Sequence, residues 1–350
     1  MQLPNRRIRV LIVDDSALVR DVLTRCLSAD PAIEVVGTAR DPYEARDLLV
    51  NQRPDVITLD IEMPRMDGLS FLRKYMAVMP TPTIVLSSLV GEGKALARQA
   101  FDAGAIDVLP KPSVGIEAGL EGSIEDLVQR IKSAAGARVT RRAEVAEPTE
   151  AVALHTTTDR VIGIGASTGG VAALGRILPE LPAGTPGVVV VQHMAAGFTE
   201  GFARRLDALC AMRVREAQHG DRVLRGHILI APGGDRQLRV VRQGGEYRVD
   251  LRPGPLVSGH KPSVDVLFES LALCAGRNAI GCLMTGMGAD GARGLLQMRA
   301  AGAHTLAQDR ASCAVWGMPA AAAELGAAER LVPLTELPGV FLNWARRDQP

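Results

Sequence analysis

The chain has 350 residues, with 40 Lys and Arg against 39 Asp and Glu and a hydrophobic fraction of 47%. At roughly 150 residues per domain this predicts two domains with sizeable cores, and the balanced charge excludes a protein held by bulk electrostatics on nucleic acid or an anionic membrane. Five cysteines (Cys26, Cys210, Cys274, Cys282 and Cys313) without a C-x-x-C pair fit neither a disulfide framework nor a zinc site, and point to a reducing compartment. Arg6, Arg7 and Arg9 precede an apolar run of only Val10–Val13, too short for a signal peptide. No stretch approaches the ~20 apolar residues of a membrane span. The expectation is a cytoplasmic protein without membrane insertion.

From Arg9 to Ala135, short apolar runs alternate with helix-length amphipathic segments. The runs are Val10–Val13, Val35–Thr38, Val56–Leu59, Thr83–Leu86 and Asp107–Leu109. This alternation predicts a parallel, doubly wound α/β sheet over residues 7–135. The runs end in Asp14-Asp15, Asp60, Ser87-Ser88 and Lys111-Pro112, and the carboxyl ends of parallel strands share one rim. Clustered carboxylates (Asp14, Asp15, Asp60) are the hard oxygen donors Mg²⁺ prefers. Asp60 is then the candidate nucleophile for an aspartyl-phosphate, with Ser87 and Lys111 contacting the phosphoryl oxygens. One acidic residue at a strand end is ordinarily a surface residue; this set of groups at the ends of the first, third, fourth and fifth runs is not.

Residues 136–158 lose the alternation, carry mixed charges, Pro148 and Thr156-Thr157-Thr158, and read as a linker. The pattern resumes over 159–347 with Val161–Ile164, Val188–Val191, Ile228–Ala231, Ile280–Met284 and Thr305–Ala307 as strands. Leu238–Val241 and Tyr247–Leu251 flank Gly244-Gly245 as a β-hairpin. A second doubly wound, mostly parallel domain with a hairpin follows.

Within it, Gly165 to Gly169 reads G-x-S-x-G at a strand-to-helix break. That pattern exposes a serine hydroxyl at a strained turn beside free helix N–H groups. Gln192-His193-Met194 follows the next strand, and Thr285-Gly286-Met287-Gly288-Ala289-Asp290-Gly291 follows a later one. Ser167, His193 and Asp290 thus each lie just beyond a parallel-type strand, where one crevice can collect nucleophile, base and orienting acid. The amide of Met287 is a candidate oxyanion donor. Taken singly, His193 is a strand-end histidine and Asp290 a helix N-cap. His155, His219, His227, His260 and His304 lack a comparable setting, and the eight-residue separation of His219 and His227 is poor for a metal. Ser263 and Asp265 compete for triad roles but read as the cap and first turn of a helix. Trp316-Gly317-Met318-Pro319 reads as a turn into another helix.

Residues of about 7–132 resemble a response-regulator receiver domain, on Asp14, Asp15, Asp60, the loop Met63-Pro64-Arg65-Met66-Asp67-Gly68, Ser87 and Lys111-Pro112. That resemblance implies a five-stranded sheet in the order 2-1-3-4-5 and a cis Lys111–Pro112 bond. Receivers often carry an aromatic switch residue three before the lysine; here that position is Val108.

The order receiver, linker, G-A-S-T-G-G, Q-H-M, T-G-M-G-A-D-G resembles the chemotaxis protein-glutamate methylesterase family, CheB, as do the stretches Lys261–Phe268 and Gly317-Met318-Pro319. The resemblance implies Ser167 as nucleophile, His193 as base, Asp290 as orienting acid and the Met287 N–H in the oxyanion hole. Its implied substrates are glutamyl methyl esters on the cytoplasmic domains of chemoreceptors, with glutamine deamidation by the same acyl chemistry. It also implies a chemotaxis histidine kinase as phosphodonor, recruitment to receptor clusters, Mg²⁺ in the receiver only and no cofactor for hydrolysis. In the family pattern the unphosphorylated receiver partly blocks the hydrolase crevice and phosphorylation relieves this.

Two other classes fit the sequence less well. A nucleotide-binding oxidoreductase would use Gly163, Gly165 and Gly169, but their spacing is G-x-G-x-x-x-G and the next strand ends in Gln192-His193 rather than an acidic residue. A DNA-binding output domain would need a compact basic recognition segment, and none stands out.

Overall fold

The computed structural model describes residues 6–63, 66–87, 93–111, 117–135 and 160–346. They fall into two compact units, and the expected linker at 136–158 lies outside the described residues. So do Pro64, Arg65, Ser88 and Pro112, and with Pro112 the expected cis bond.

The first unit alternates β1 (Ile8–Val13), α1 (Ala17–Ser28), β2 (Ile33–Ala39), α2 (Pro42–Gln52), β3 (Val56–Asp60), α3 (Gly68–Val78), β4 (Thr83–Ser87), α4 (Gly93–Asp102), β5 (Asp107–Pro110) and α5 (Glu117–Ala135). Every pairing is parallel, as the alternation predicts, and the sheet order is β2-β1-β3-β4-β5, as the receiver resemblance implies. Its strands are near-continuous β-branched and Leu runs because helices cover both faces. Val10, Ile12, Val56, Ile84 and Leu86 pack against Leu23 and Leu27 of α1 and Leu127 and Ile131 of α5. Short polar residues start the helices. The Asp41 carboxylate accepts from Tyr43 N and Glu44 N, and Asp67 accepts from Ser70 N. Gly68 opens α3 directly against the end of β3: a Cβ there would stand 2.0 Å from the Asp60 carbonyl oxygen.

The second unit contains β6 (Val161–Ala166), α6 (Gly170–Ile177), β7 (Gly187–Gln192), α7 (Thr199–Asp207), β8 (Arg213–Glu216) and β9 (His227–Ile230). After the hairpin β10 (Arg236–Gln243) and β11 (Glu246–Pro253) come α8 (Val264–Cys274), β12 (Ala279–Leu283), α9 (Ala292–Ala300), β13 (His304–Gln308), α10 (Met318–Glu324), β14 (Arg330–Val332) and α11 (Leu337–Arg346). Seven strands form a parallel sheet, β14-β13-β12-β6-β7-β9-β8, and the hairpin stands apart as a two-stranded antiparallel ribbon.

β6 is central and fully buried, and its V-I-G-I-G-A sequence has a packing cause. A Cβ at Gly163 would stand 2.4 Å from Leu271 Cδ1, and one at Gly165 would stand 2.1 Å from Val264 Cγ1. The glycines therefore let α8 lie directly on the strand that carries the serine turn. The hairpin rests on α8 in turn, with Val240 N donating to Ser270 Oγ at 2.9 Å. The sequence pattern does not announce β8 or β14. Both are edge strands, only one residue of each is buried, and neither has an apolar run to announce it.

Candidate functional sites

At the rim of the first sheet, Asp14 and Asp60 are buried, Asp15 is exposed, and one oxygen of each lies within 4.8 Å of the others. Lys111 Nζ sits between Asp14 Oδ2 at 2.9 Å and Asp60 Oδ2 at 2.8 Å. Burial pushes the Asp60 carboxyl up to about 6, against the pull of Lys111, whose own ammonium is shifted upward by the two carboxylates in spite of its burial. Ser87 is buried at the end of β4, in register with Pro110, and its carbonyl accepts from Lys111 N at 2.8 Å. The strand ends thus bring Asp14, Asp15, Asp60, Ser87 and Lys111 to one rim. Val108 is buried within β5 and offers no ring.

The second site is built at the ends of three adjacent strands. β6 and β7 pair in register through Ala166 and Gln192, so Ser167 and His193 leave the sheet side by side, with His193 N donating to Ala166 O at 3.0 Å. β12 pairs with β6 on its other side, and Ser167 N donates to Thr285 O at 2.9 Å. Gly286 touches the serine: a Cβ on it would stand 2.7 Å from Ser167 Cβ. The turn itself is held by Gly170 N and Gln192 Nε2, which both donate to Ser167 O at 2.8 Å. Gly169 (φ 82°) supplies the left-handed residue that starts α6. The backbone N–H groups of Thr168, Gly169 and Met287 make no hydrogen bond among the described residues.

His193 Nε2 lies 2.8 Å from Asp290 Oδ2, with both side chains buried. Facing an ionised carboxylate, Nε2 carries the proton, and Nδ1 is then an acceptor. Nδ1 is buried without a hydrogen-bond partner. Asp290 is saturated by three further donors. They are Ser263 Oγ at 2.7 Å and Asp265 N at 3.0 Å on Oδ1, and Val264 N at 2.8 Å on Oδ2. Burial opposes its charge, but the bonds to His193, Ser263 and Asp265 outweigh it and hold the carboxyl below its usual range.

Two expectations need correction here. Ser263 does stand at the N-cap position of α8, yet its hydroxyl makes no capping bond. Asp290, arriving from another strand, takes the first-turn N–H groups, and Ser263 donates to it instead. Asp265 does stand in the first turn of α8, and its carboxylate accepts from Gly294 N at 2.8 Å and Ser258 Oγ at 2.8 Å. His260 does have a setting after all, stacked on His193 with ring centroids 3.7 Å apart and planes at 12°. His219 lies by Leu251 N (3.2 Å) and Asp250 (3.4 Å), and belongs to no metal-like cluster among the described residues. α10 begins at Met318, as the Trp316–Pro319 turn predicts.

Fold and sites together define a two-part regulator: a five-stranded receiver-type unit with an acidic rim, followed by a parallel α/β unit with a strand-end Ser–His–Asp constellation. Residues 10–118 match the response regulator receiver domain and residues 162–341 match CheB methylesterase. The chain is 52% identical to a protein-glutamate methylesterase/protein-glutamine glutaminase of Syntrophotalea carbinolica, over 95% of this chain and 96% of that one. It is 54% identical to a protein of the same description from Anaeromyxobacter dehalogenans, over 97% and 96%. The solved CheB methylesterase catalytic domain of Thermotoga maritima matches 53% of this chain and 97% of its own, at 35% identity and a TM-score of 0.51. The chain belongs to the CheB methylesterase family.

Proposed function

We propose that this chain is a phosphorylation-regulated serine hydrolase that removes methyl esters from glutamate side chains of chemoreceptors, and deamidates glutamines by the same route, in chemotactic adaptation. The observation that carries the reading is the His193–Asp290 bond of 2.8 Å beside Ser167, at the ends of neighbouring parallel strands. Family membership supplies the substrate class, since the curated relatives are protein-glutamate methylesterases/protein-glutamine glutaminases.

In this mechanism Ser167 Oγ attacks the γ-carbonyl carbon of the ester and its proton passes to His193 Nδ1, the ring nitrogen that Asp290 leaves open. The Met287 N–H, which has no other acceptor among the described residues, donates to the oxygen that becomes negative. Collapse breaks the carbon–methoxy bond, and His193 returns the proton to release methanol. Water then attacks the acyl-serine, giving its proton to His193, and the glutamate carboxylate leaves as Ser167 regains its hydrogen. A glutamine side chain follows the same course with ammonia as the first product.

In the receiver unit, Asp60 is the phosphoacceptor, and Asp14, Asp15 and Asp60 fit a divalent cation: three carboxylate oxygens converge on one point of the rim. Bound Mg²⁺ would neutralise charge on an incoming phosphoryl group. Ser87 and Lys111 are placed to contact its oxygens. The phosphodonor is a histidine kinase of the same pathway, and the phosphoryl group's charge of about −1.5 to −2 relieves inhibition of hydrolysis. No described helix is long and apolar enough to cross a membrane, and recruitment to receptor clusters is part of the same reading.

Methanol release from methylated chemoreceptor membranes, with and without acetyl phosphate and Mg²⁺, tests the reading. Release that rises on phosphorylation and disappears in Ser167→Ala is expected. Release that survives Ser167→Ala would overturn the site, and release indifferent to acetyl phosphate would overturn the control.

A further inference from the structure

Among the described residues, the His193 ring is anchored by one hydrogen bond. Asp290 fixes Nε2, while Nδ1 is buried and unpartnered. An imidazole tethered at one nitrogen keeps freedom to twist about its Cβ–Cγ bond, and a twist redirects Nδ1. What opposes the twist is a flat contact. The His260 ring lies on the His193 ring, centroids 3.7 Å apart and planes within 12° of parallel.

We propose that His260 is a positioning residue for the base: its ring holds the plane of His193 and so sets the direction in which Nδ1 points. The inference rests on the proposed hydrolase reading of Ser167, His193 and Asp290.

The loop that presents His260 is built to be rigid. Val257 N donates to His260 O at 3.1 Å and His260 N to Val257 O at 2.9 Å, closing a tight turn. Its two central residues, Ser258 (φ 51°) and Gly259 (φ 81°), are both left-handed, as a primed turn requires. Glycine adopts that backbone freely, but Ser258 is one of only two non-glycine residues with positive φ among the described residues. Ser258 is held there through its hydroxyl, which donates to the fully buried Asp265 carboxylate at 2.8 Å. Buried Gln237 clamps the other side. Its amide donates to Pro255 O at 2.9 Å and His260 O at 3.2 Å, and its carbonyl accepts from Ser263 N at 2.8 Å. Ser263 is also the residue whose hydroxyl binds Asp290. One short segment, from Pro255 to Asp265, therefore holds both the acid that fixes one edge of the His193 ring and the ring that fixes its face. Strained backbone held by its surroundings is found where geometry serves function, and here the strained residue lies two positions before the stacking ring.

The test uses the full-length protein with acetyl phosphate and Mg²⁺, methylated receptor membranes as substrate, and three variants. His260→Phe keeps a planar ring, His260→Leu keeps apolar bulk without a plane, and His260→Ala removes both. The expected result is a kcat loss of roughly tenfold or more in the Leu and Ala variants with KM within twofold, and recovery to within about threefold in the Phe variant; small misplacements of catalytic groups cost up to ~10²-fold. Melting temperatures of the Phe and Leu variants should agree, so that the kcat gap between them reports the plane and not the fold. Nitrogen-15 spectra of the histidine side chains supply a readout apart from activity. The His193 Nε2–H signal should stay sharp in wild type and His260→Phe and broaden in His260→Leu. Wild-type kcat in His260→Leu, or a Phe variant no better than Leu, would overturn the proposal. A wild-type protein that releases no methanol would instead overturn the hydrolase reading, and the spectra would still decide whether His260 orders the His193 ring.

Discussion

Asp290 does two jobs with one carboxylate. It is hydrogen-bonded to His193 Nε2, and it takes the place of a helix cap by accepting the first-turn N–H groups of α8 together with the Ser263 hydroxyl. Its four lone-pair sites are filled by four donors, which is as many as a carboxylate can hold. Asp290→Asn keeps the shape but turns an NH₂ toward groups that all donate. The expected result is a fall in kcat on the order of 10³–10⁴, as for the loss of an orienting acid in other triads, and destabilisation of about 1–3 kcal/mol from buried donors left unpaired. Methanol release and thermal melts check both. The pH dependence has a definite sign. The Asp290 pKa is lower in the folded protein than its unfolded value near 3.8, so its charge stabilises the fold above that value, and the contribution fades as acid protonates the folded form. The melting gap between wild type and Asp290→Asn should therefore narrow as pH falls from 5 to 3. Of this residue, the sequence reveals the strand-end position and the acidic type. It conceals the cap, because an N-cap is read from the residue just before a helix, and here the capping group comes from 26 positions further along the chain. Ser263 misleads for the same reason, and His260 is hidden because ring stacking leaves no spacing to read.

At the scale of elements, the contact between β6 and α8 sets the geometry of the site. Gly165 in β6 meets Val264, the first residue of α8, and Val264 N is one of the donors to Asp290. In Gly165→Ala the new Cβ would fall 2.1 Å from Val264 Cγ1, so the helix must move, at a cost of about 1–3 kcal/mol for overpacking. Activity should fall with stability here, because the displaced helix end carries the acid's hydrogen bonds. Gly175 in α6 is the contrasting case: a Cβ there meets nothing within 4 Å, and its φ is not left-handed. Gly175→Ala should raise stability by roughly 0.5–1 kcal/mol through helix propensity and leave kcat unchanged. Melting temperatures and methanol release on the two variants separate packing against the site from packing anywhere in the unit. Central strands such as β6 and β12 are legible as apolar runs because both their faces are buried. Edge strands are not. β8 reads Arg213-Val214-Arg215-Glu216 with only Val214 buried, which is the charged, short pattern that discourages unwanted pairing at a sheet edge.

At the scale of the molecule, each unit has its own apolar core, one around Val10, Ile12, Ile84 and Ile131 and one around Val189, Leu229, Phe268 and Leu283. Two cores predict two thermal transitions, and the acidic rim marks which of them belongs to the receiver unit. Burial raises the Asp60 pKa from 3.8 to about 6 even with Lys111 beside it. The folded unit therefore favours the protonated acid, while the unfolded chain releases the proton near pH 4. Stability from this residue is highest at acid pH, falls as pH rises from about 4 through about 6, and stays low above that, by on the order of 2 kcal/mol. Asp60→Asn removes the penalty. Calorimetry at pH 8 without divalent cation should show the receiver transition higher in Asp60→Asn than in wild type, with the gap closing near pH 4–5 and the other transition unmoved. Millimolar Mg²⁺ should raise the wild-type receiver transition at pH 8, because a cation bound by the folded carboxylates both stabilises the folded state and offsets their repulsion. In Asp60→Asn the same addition should do much less. An Asp60→Asn receiver transition below wild type at pH 8 would mean that the Lys111–Asp60 pair stabilises the resting unit, and that the rim is not held ready at the expense of the fold.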